Sequence, residues 1–246
     1  MARRVLSPPS VLVTCEHGGN RIPADVAPMF RHMRRTLTSH RGYDAGALVM
    51  ARTLTQALNA PLVASTTSRL VIDLNRSLHH PGVWSAVTRS LPPERRERIV
   101  RRLYLPYRRC VDELVAAARD ARQPLVHFSS HSFTPVLDGE RRRADVGLLY
   151  DPARPAEAKL CAAIKAALRA RAPTLRVRRN YPYAGNSDGL VTWLRSRYAP
   201  RQYAGIELEL NQAIVGRDPR EWRWLREALV AAIMQALADR GTGISR

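Results

Sequence analysis

With 246 residues, 45% of them hydrophobic, the chain is long enough to bury one large core and fits one domain spanning 1–246. Three cysteines, Cys15, Cys110 and Cys161, lie far apart without a Cys-x-x-Cys pair, which argues against a disulfide framework and a thiolate zinc site and makes a reducing cytoplasm the expected location. A formal charge of +19 is almost all arginine, with lysine only at Lys159 and Lys165, and names anionic partners as a class. No stretch has the length of a membrane span, and the apolar run after Arg3 and Arg4, cut at Ser7-Pro-Pro-Ser10, is too short for a signal peptide.

The elements alternate in type along the chain. Residues 11–15 read as a buried strand, followed by a loop through Pro23 and Pro28 and a helix over 44–58 with Leu48, Met50, Leu54 and Leu58 at helical spacing. A strand over 62–64 leads into an apolar, strand-like run, Arg69-Leu-Val-Ile-Asp-Leu74. Pro92-Pro93 starts a long helix to about Arg119, whose arginines through Arg108-Arg109 read as a solvated face, a nucleic-acid surface being the alternative. Gln123-Pro124 introduces a strand carrying His127 and His131, and further strands are expected over 146–150, 175–178 and 205–210, separated by helices over 156–171 and 190–197. A last helix over 220–238 sets Trp222, Leu225, Leu229, Ile233 and Leu237 on one core-facing stripe. Alternation of this kind predicts an α/β fold with helices on both faces of a sheet.

Two of the apolar runs end on a histidine followed by turn-formers, at His17-Gly-Gly-Asn20 and at His131-Ser-Phe-Thr-Pro135. A histidine so placed stands at the carboxyl edge of the sheet, where open α/β proteins build their sites. With Asp44, for which helix capping is the competing role, His17 and His131 make the two-imidazole, one-carboxylate set of a single catalytic Zn2+ with an open position for water. The neighbouring Glu16 is expected to point the other way and to pair with an arginine, and His127 to be a packed strand residue. Ser132 and Thr134 are placed to orient His131 or the substrate.

A strand covered by helices should be apolar on both faces, so Glu207 and Glu209 in Gly205-Ile-Glu-Leu-Glu-Leu-Asn211 need an explanation. An edge strand is the bland one. The functional one makes Glu209, nearer the carboxyl end, the general base, with Asn211 beside it to position or polarise. Arg76 can hold a substrate carboxylate bidentately with Asn75 adding a donor, and Arg69 opens the same segment and joins them in the substrate-binding group. The loop over 180–189 either walls a polar pocket or simply connects two elements.

Taken in order, these residues resemble the N-formylglutamate amidohydrolase family: His17-Gly-Gly-Asn-Arg-Ile-Pro23, Asp44-Ala-Gly-Ala47, Arg69-x-x-x-Asp-Leu-Asn-Arg76, His131-Ser132 and Glu209-Leu-Asn211, from about Val11 to Gln212. The resemblance implies a three-layer αβα sandwich with a mixed, mostly parallel central sheet, phosphorylase/hydrolase-like and akin to the zinc exopeptidases and aspartoacylases. It implies zinc on His17 and His131, Arg76 as carboxylate anchor and Glu209 as base, acting on the amide of a small anionic N-acyl amino acid such as N-formyl-L-glutamate. Where carboxypeptidases use His-x-x-Glu this chain has Asn20, so Asp44 is taken as the third ligand. A carboxypeptidase-like or cell-wall peptide amidase is the second enzyme reading, and a basic, non-catalytic nucleic-acid-binding protein the reading from another class.

Overall fold

Short runs of β-branched and other apolar residues, separated by amphipathic stretches of helical period, build a central sheet with helices on either side. The computed structural model describes residues 10–242, so Arg3, Arg4 and most of the interrupted run after them lie outside the described residues. In chain order the first half comprises β1 (Val11–Cys15), α1 (Arg34–Leu37), α2 (Ala47–Leu58), β2 (Leu62–Ala64), α3 (Ala86–Arg89), α4 (Pro93–Ile99) and α5 (Leu105–Asp120). The second half comprises β3 (Leu125–Phe133), β4 (Val136–Leu137), β5 (Glu140–Arg141), β6 (Val146–Leu149), α6 (Pro155–Arg171), β7 (Val177–Arg179), α7 (Leu190–Arg197), β8 (Tyr203–Asn211), α8 (Gln212–Val215) and α9 (Pro219–Thr242).

The main sheet has the order β2-β1-β3-β8-β6-β7. Its first four strands are parallel, β6 runs antiparallel to β8, and β7 is parallel to β6, which makes the sheet mixed and mostly parallel. One face packs Val13, Cys15, Phe128, Ile206 and Leu208 against α2, α6 and α9, including the predicted stripe Trp222, Leu225, Leu229 and Ile233. The opposite face packs Leu12, Leu125 and Tyr203 under α5, α7 and the irregular segment 70–91. Among the described residues no helix is long and apolar enough to cross a membrane.

Three expectations are corrected. The run over 69–74 is not a strand: Val71, Ile72 and Leu74 are buried, but Asp73 Oδ1 accepts from the main-chain N–H of Asn75 (3.0 Å) and Arg76 (3.3 Å), a local bond that replaces sheet pairing. The second helix begins at Ala47 rather than Asp44, because Gly46 turns left-handed (φ 81°) as its N-cap, with no side chain capping. The bland account of Glu207 and Glu209 also falls, since β8 lies inside the sheet between β3 and β6. The proline-started helix is continuous through α4, a π-helical turn Val100–Tyr104 and α5.

Candidate active site

The parallel strands β1, β3 and β8 deliver their carboxyl ends to one place. In the β3–β8 register Ser129 faces Glu207 and His131 faces Glu209, so these alternate residues share one side of the sheet. Beyond Cys15 the chain leaves β1 through Gly18 and Gly19, where a Cβ would lie only 2.9 Å from Ser65 O and 2.7 Å from Thr66 O. The two glycines thus let the chain press against the segment after β2 while His17 turns inward.

His17, Asp44 and His131 come together, each buried, with ligand atoms all within 4.8 Å of one another. Asp44 Oδ2 lies 2.9 Å from His131 Nδ1 and 3.4 Å from His17 Nδ1, and the ring centroids are 5.2 Å apart. Behind each ring stands a further buried acid. His17 Nε2 is 2.8 Å from Asp73 Oδ1, and His131 Nε2 is 3.0 Å from Glu16 Oε2 and 2.9 Å from Ser129 Oγ. A carboxylate behind an imidazole fixes the ring and its tautomer, directing the opposite nitrogen to the shared point. His17 Nδ1 is buried and has no hydrogen-bond partner, the Asp44 carboxylate standing 3.4 Å away. Two nitrogens and one oxygen so disposed could hold a metal ion.

Charge is dense here. Against its burial, the bonds from His131 and Ser129 hold the Glu16 carboxyl well below the usual range, and His17 and His131 do the same for Asp44. In turn Asp44 and Glu16 hold His131 well above its ordinary value despite desolvation. Burial, with the nearby Asp44 and Glu207 carboxylates and against the pull of His131, pushes Glu209 up to about 8. Its Oε2 is buried with no hydrogen-bond partner. Glu207 is likewise raised by burial.

These groups open into a pocket of about 140 Å3, walled on its outer side by Tyr183, Ser187 and Asp188, so the loop over 180–189 does form a wall. Arg76 and Asn75 line it: Arg76 NH1 donates to Asp188 O (2.7 Å), and Asn75 Oδ1 accepts from Leu190 N (2.7 Å). Arg69 also lines it, but its guanidinium grips Asp73 Oδ2 (2.6 and 3.1 Å) and approaches Asp44 Oδ1 (3.4 Å). Asn211 is not brought in. Its Oδ1 caps α8 by accepting from Ala213 N (2.9 Å), and its Nδ2 donates to Ala144 O (2.7 Å). Asn20 donates to Leu37 O, Thr134 closes a local turn, and Ser132 reaches the pocket rim. Asp44 is a member of the cluster and caps nothing. Glu16 pairs with His131 rather than an arginine, and His127 is a packed strand residue between Thr14 and Tyr203.

Sequence reasoning passed over Asp73, Ser129 and Tyr107, whose hydroxyl donates to Glu16 Oε1 (2.8 Å). Only Asp73 carried a signal, an acid four residues after Arg69 in an apolar run.

Comparison with known proteins bears on the fold and the family. The chain superposes on the crystal structure of a gene product of Agrobacterium tumefaciens with a TM-score of 0.81 at 29% identity, over 94% of this chain and 92% of the other. It superposes on the N-formylglutamate amidohydrolase of Ralstonia eutropha with a TM-score of 0.69 at 20% identity, covering 94% of each chain, a likeness of fold. No curated protein sequence matches it significantly. The signature of the N-formylglutamate amidohydrolases matches residues 9–215, and the chain, an α/β amide-bond hydrolase, belongs to that family.

Proposed function

We propose that the protein, read as one domain over 1–246, is a zinc-dependent amidohydrolase that cleaves the amide of a small N-acyl amino acid, N-formyl-L-glutamate or a near analogue. One observation carries the reading: two Nδ1 atoms and Asp44 face one point, each ring backed by a buried acid, with His17 Nδ1 bare. His17, Asp44 and His131 would hold the ion. A zinc ion bound there supplies Lewis-acid polarisation of the acyl oxygen and acidifies a water molecule.

The remaining work falls to the chain's own groups. Glu209 stands level with His131 across the strand pair, with an unpartnered buried oxygen and a raised pKa suited to moving a proton near neutral pH. It takes the proton from water as the C–O bond forms and gives it to the nitrogen as the C–N bond breaks, releasing the acid and the amine. Arg76 receives the substrate carboxylate, its guanidinium steadied by Asp188 O, and Asn75, which lines the pocket with its Oδ1 taken by Leu190 N, has its NH2 left to serve as a donor. Arg69 keeps Asp44 and Asp73 in place and adds positive charge to the wall.

Metal analysis of purified protein with a formate-release assay tests the reading. We expect about one zinc per chain and release of formate from an N-formyl amino acid that stops on chelation and returns with zinc. Undiminished hydrolysis by fully metal-free protein would overturn it.

A further inference from the structure

One guanidinium in the arginine run of the long helix is not solvated. Arg108 is 5% exposed, and no carboxylate among the described residues lies within ion-pairing distance of it. A buried cation without an anion is costly unless its donors are met elsewhere. Here they go to three consecutive main-chain carbonyls: Nε to Leu74 O (3.1 Å), and NH2 to Asn75 O (2.7 Å) and Arg76 O (2.9 Å). The guanidinium plane is covered by the rings of Tyr104 (5.0 Å) and Trp193 (5.1 Å). Tyr104 adds its own hydroxyl to Arg76 O (2.8 Å). Tyr104 closes the π-helical turn, an insertion that shifts the phase of a helix and recurs at functional sites. Tyr104, Tyr107 and Arg108 then lie at i, i+3 and i+4, on one inward face.

The three carbonyls belong to the turn that presents Asn75 and Arg76 to the pocket. We propose that Arg108 is a positioning residue for the substrate carboxylate: by clamping the carbonyls of Leu74, Asn75 and Arg76 it fixes the orientation of the two anchoring side chains and sets a second positive charge behind them. This inference rests on the proposed role of Arg76.

The test compares zinc-loaded full-length variants on an N-formyl amino acid with a single carboxylate, N-formyl-L-glutamine, and on its α-carboxamide, which keeps the formyl amide to be cleaved and has no carboxylate. Arg108→Met is expected to raise KM for the carboxylate substrate about 10- to 100-fold, the scale of hydrogen bonds to a charged group, while kcat, zinc affinity and KM for the carboxamide stay within about threefold of wild type. Arg108→Lys should recover part of the loss, because an ammonium restores the charge without spanning three carbonyls. Equal losses on both substrates, weakened zinc binding, or an unchanged KM would each overturn the proposal. Should Arg108→Met not fold, Tyr104→Phe decides: it removes one donor to Arg76 O, and a rise in KM of about threefold confined to the carboxylate substrate is expected, no such rise being fatal. Arg76→Met separates the two claims. If it leaves the carboxylate preference intact, the anchor itself is wrongly assigned; if it abolishes the preference while Arg108→Met does not, only the role of Arg108 falls. Absence of any turnover by wild type removes both.

Discussion

The two faces of the central sheet are built from the same strands and do opposite things. Along β8, Ile206, Leu208 and Leu210 enter the apolar core under α2, α6 and α9, while Glu207 and Glu209, one residue out of phase, point into the pocket. Along β3, Phe128 packs into that core while His127, Ser129 and His131 form a polar row with Thr14 and Glu16 of the neighbouring chain segment. Period-two alternation normally separates core from solvent, yet here both sides are covered and it separates core from chemistry. The polar row is tolerable because nearly every member is paired, which leaves the unpaired His17 Nδ1 and Glu209 Oε2 as the atoms that point to function.

Breaking the polar face should abolish activity with the smallest structural change. His17→Ala removes one nitrogen of the cluster, and we expect loss of bound zinc by elemental analysis together with loss of turnover. Glu209→Gln is the sharper probe, being nearly isosteric: the protein should keep its zinc and lose about 10²- to 10⁴-fold in kcat, the usual contribution of a general base. A Glu209→Gln variant with wild-type turnover would remove the proton shuttle from the mechanism.

Breaking the apolar face should do the reverse. Leu208 is fully buried between two residues that line the pocket, so Leu208→Ala is expected to lower unfolding free energy by about 2–5 kcal/mol, measured by denaturant titration. The fraction that remains folded should bind zinc and turn over substrate as before. A fall in zinc affinity as large as that of His17→Ala would show that the faces are not separable.

Much of this was readable in the residues. The histidine-ended runs gave away β1 and β3, and the helical stripe in Trp222, Leu225, Leu229 and Ile233 marked α9, because their periods follow directly from backbone geometry. What escaped depended on where alternation stops. β1 ends at Cys15, so Glu16 and His17 need not point apart, and both reach the cluster. β8 ends at Asn211, whose amide is taken by the cap of α8 instead of the pocket. Asp44 was legible as a candidate, but local sequence could not choose between capping and ligation; the left-handed Gly46 starts the helix later, which removes the capping role and leaves the Asp44 carboxylate beside His17 and His131. Arg108 and its exposed neighbour Arg109 look alike in sequence, and only the phase of the helix after the π turn separates the buried guanidinium from the solvated one.

A smaller effect contrasts two histidines on one strand. His131, at the pocket, is held above its ordinary pKa by Asp44 and Glu16. Four residues earlier His127 is fully buried with its Nε2 2.8 Å from Thr14 Oγ1 and its Nδ1 2.7 Å from Tyr203 Oη, and burial drops it from 6.5 to about 4. Neutral imidazole suits two hydroxyl partners, accepting from one and donating to the other. A depressed histidine means that the unfolded chain takes up a proton below about 6.5 while the folded chain does not until about 4. Stability from this residue is therefore intact above 6.5, declines as pH falls, by about 3 kcal/mol in all, and is flat again below 4. Unfolding free energies measured at pH 7 and pH 4.5 for wild type and His127→Gln should show a shallower decline in the variant. Equal declines would mean that His127 is protonated in the folded protein, and the neutral part of the polar row would have to be redrawn.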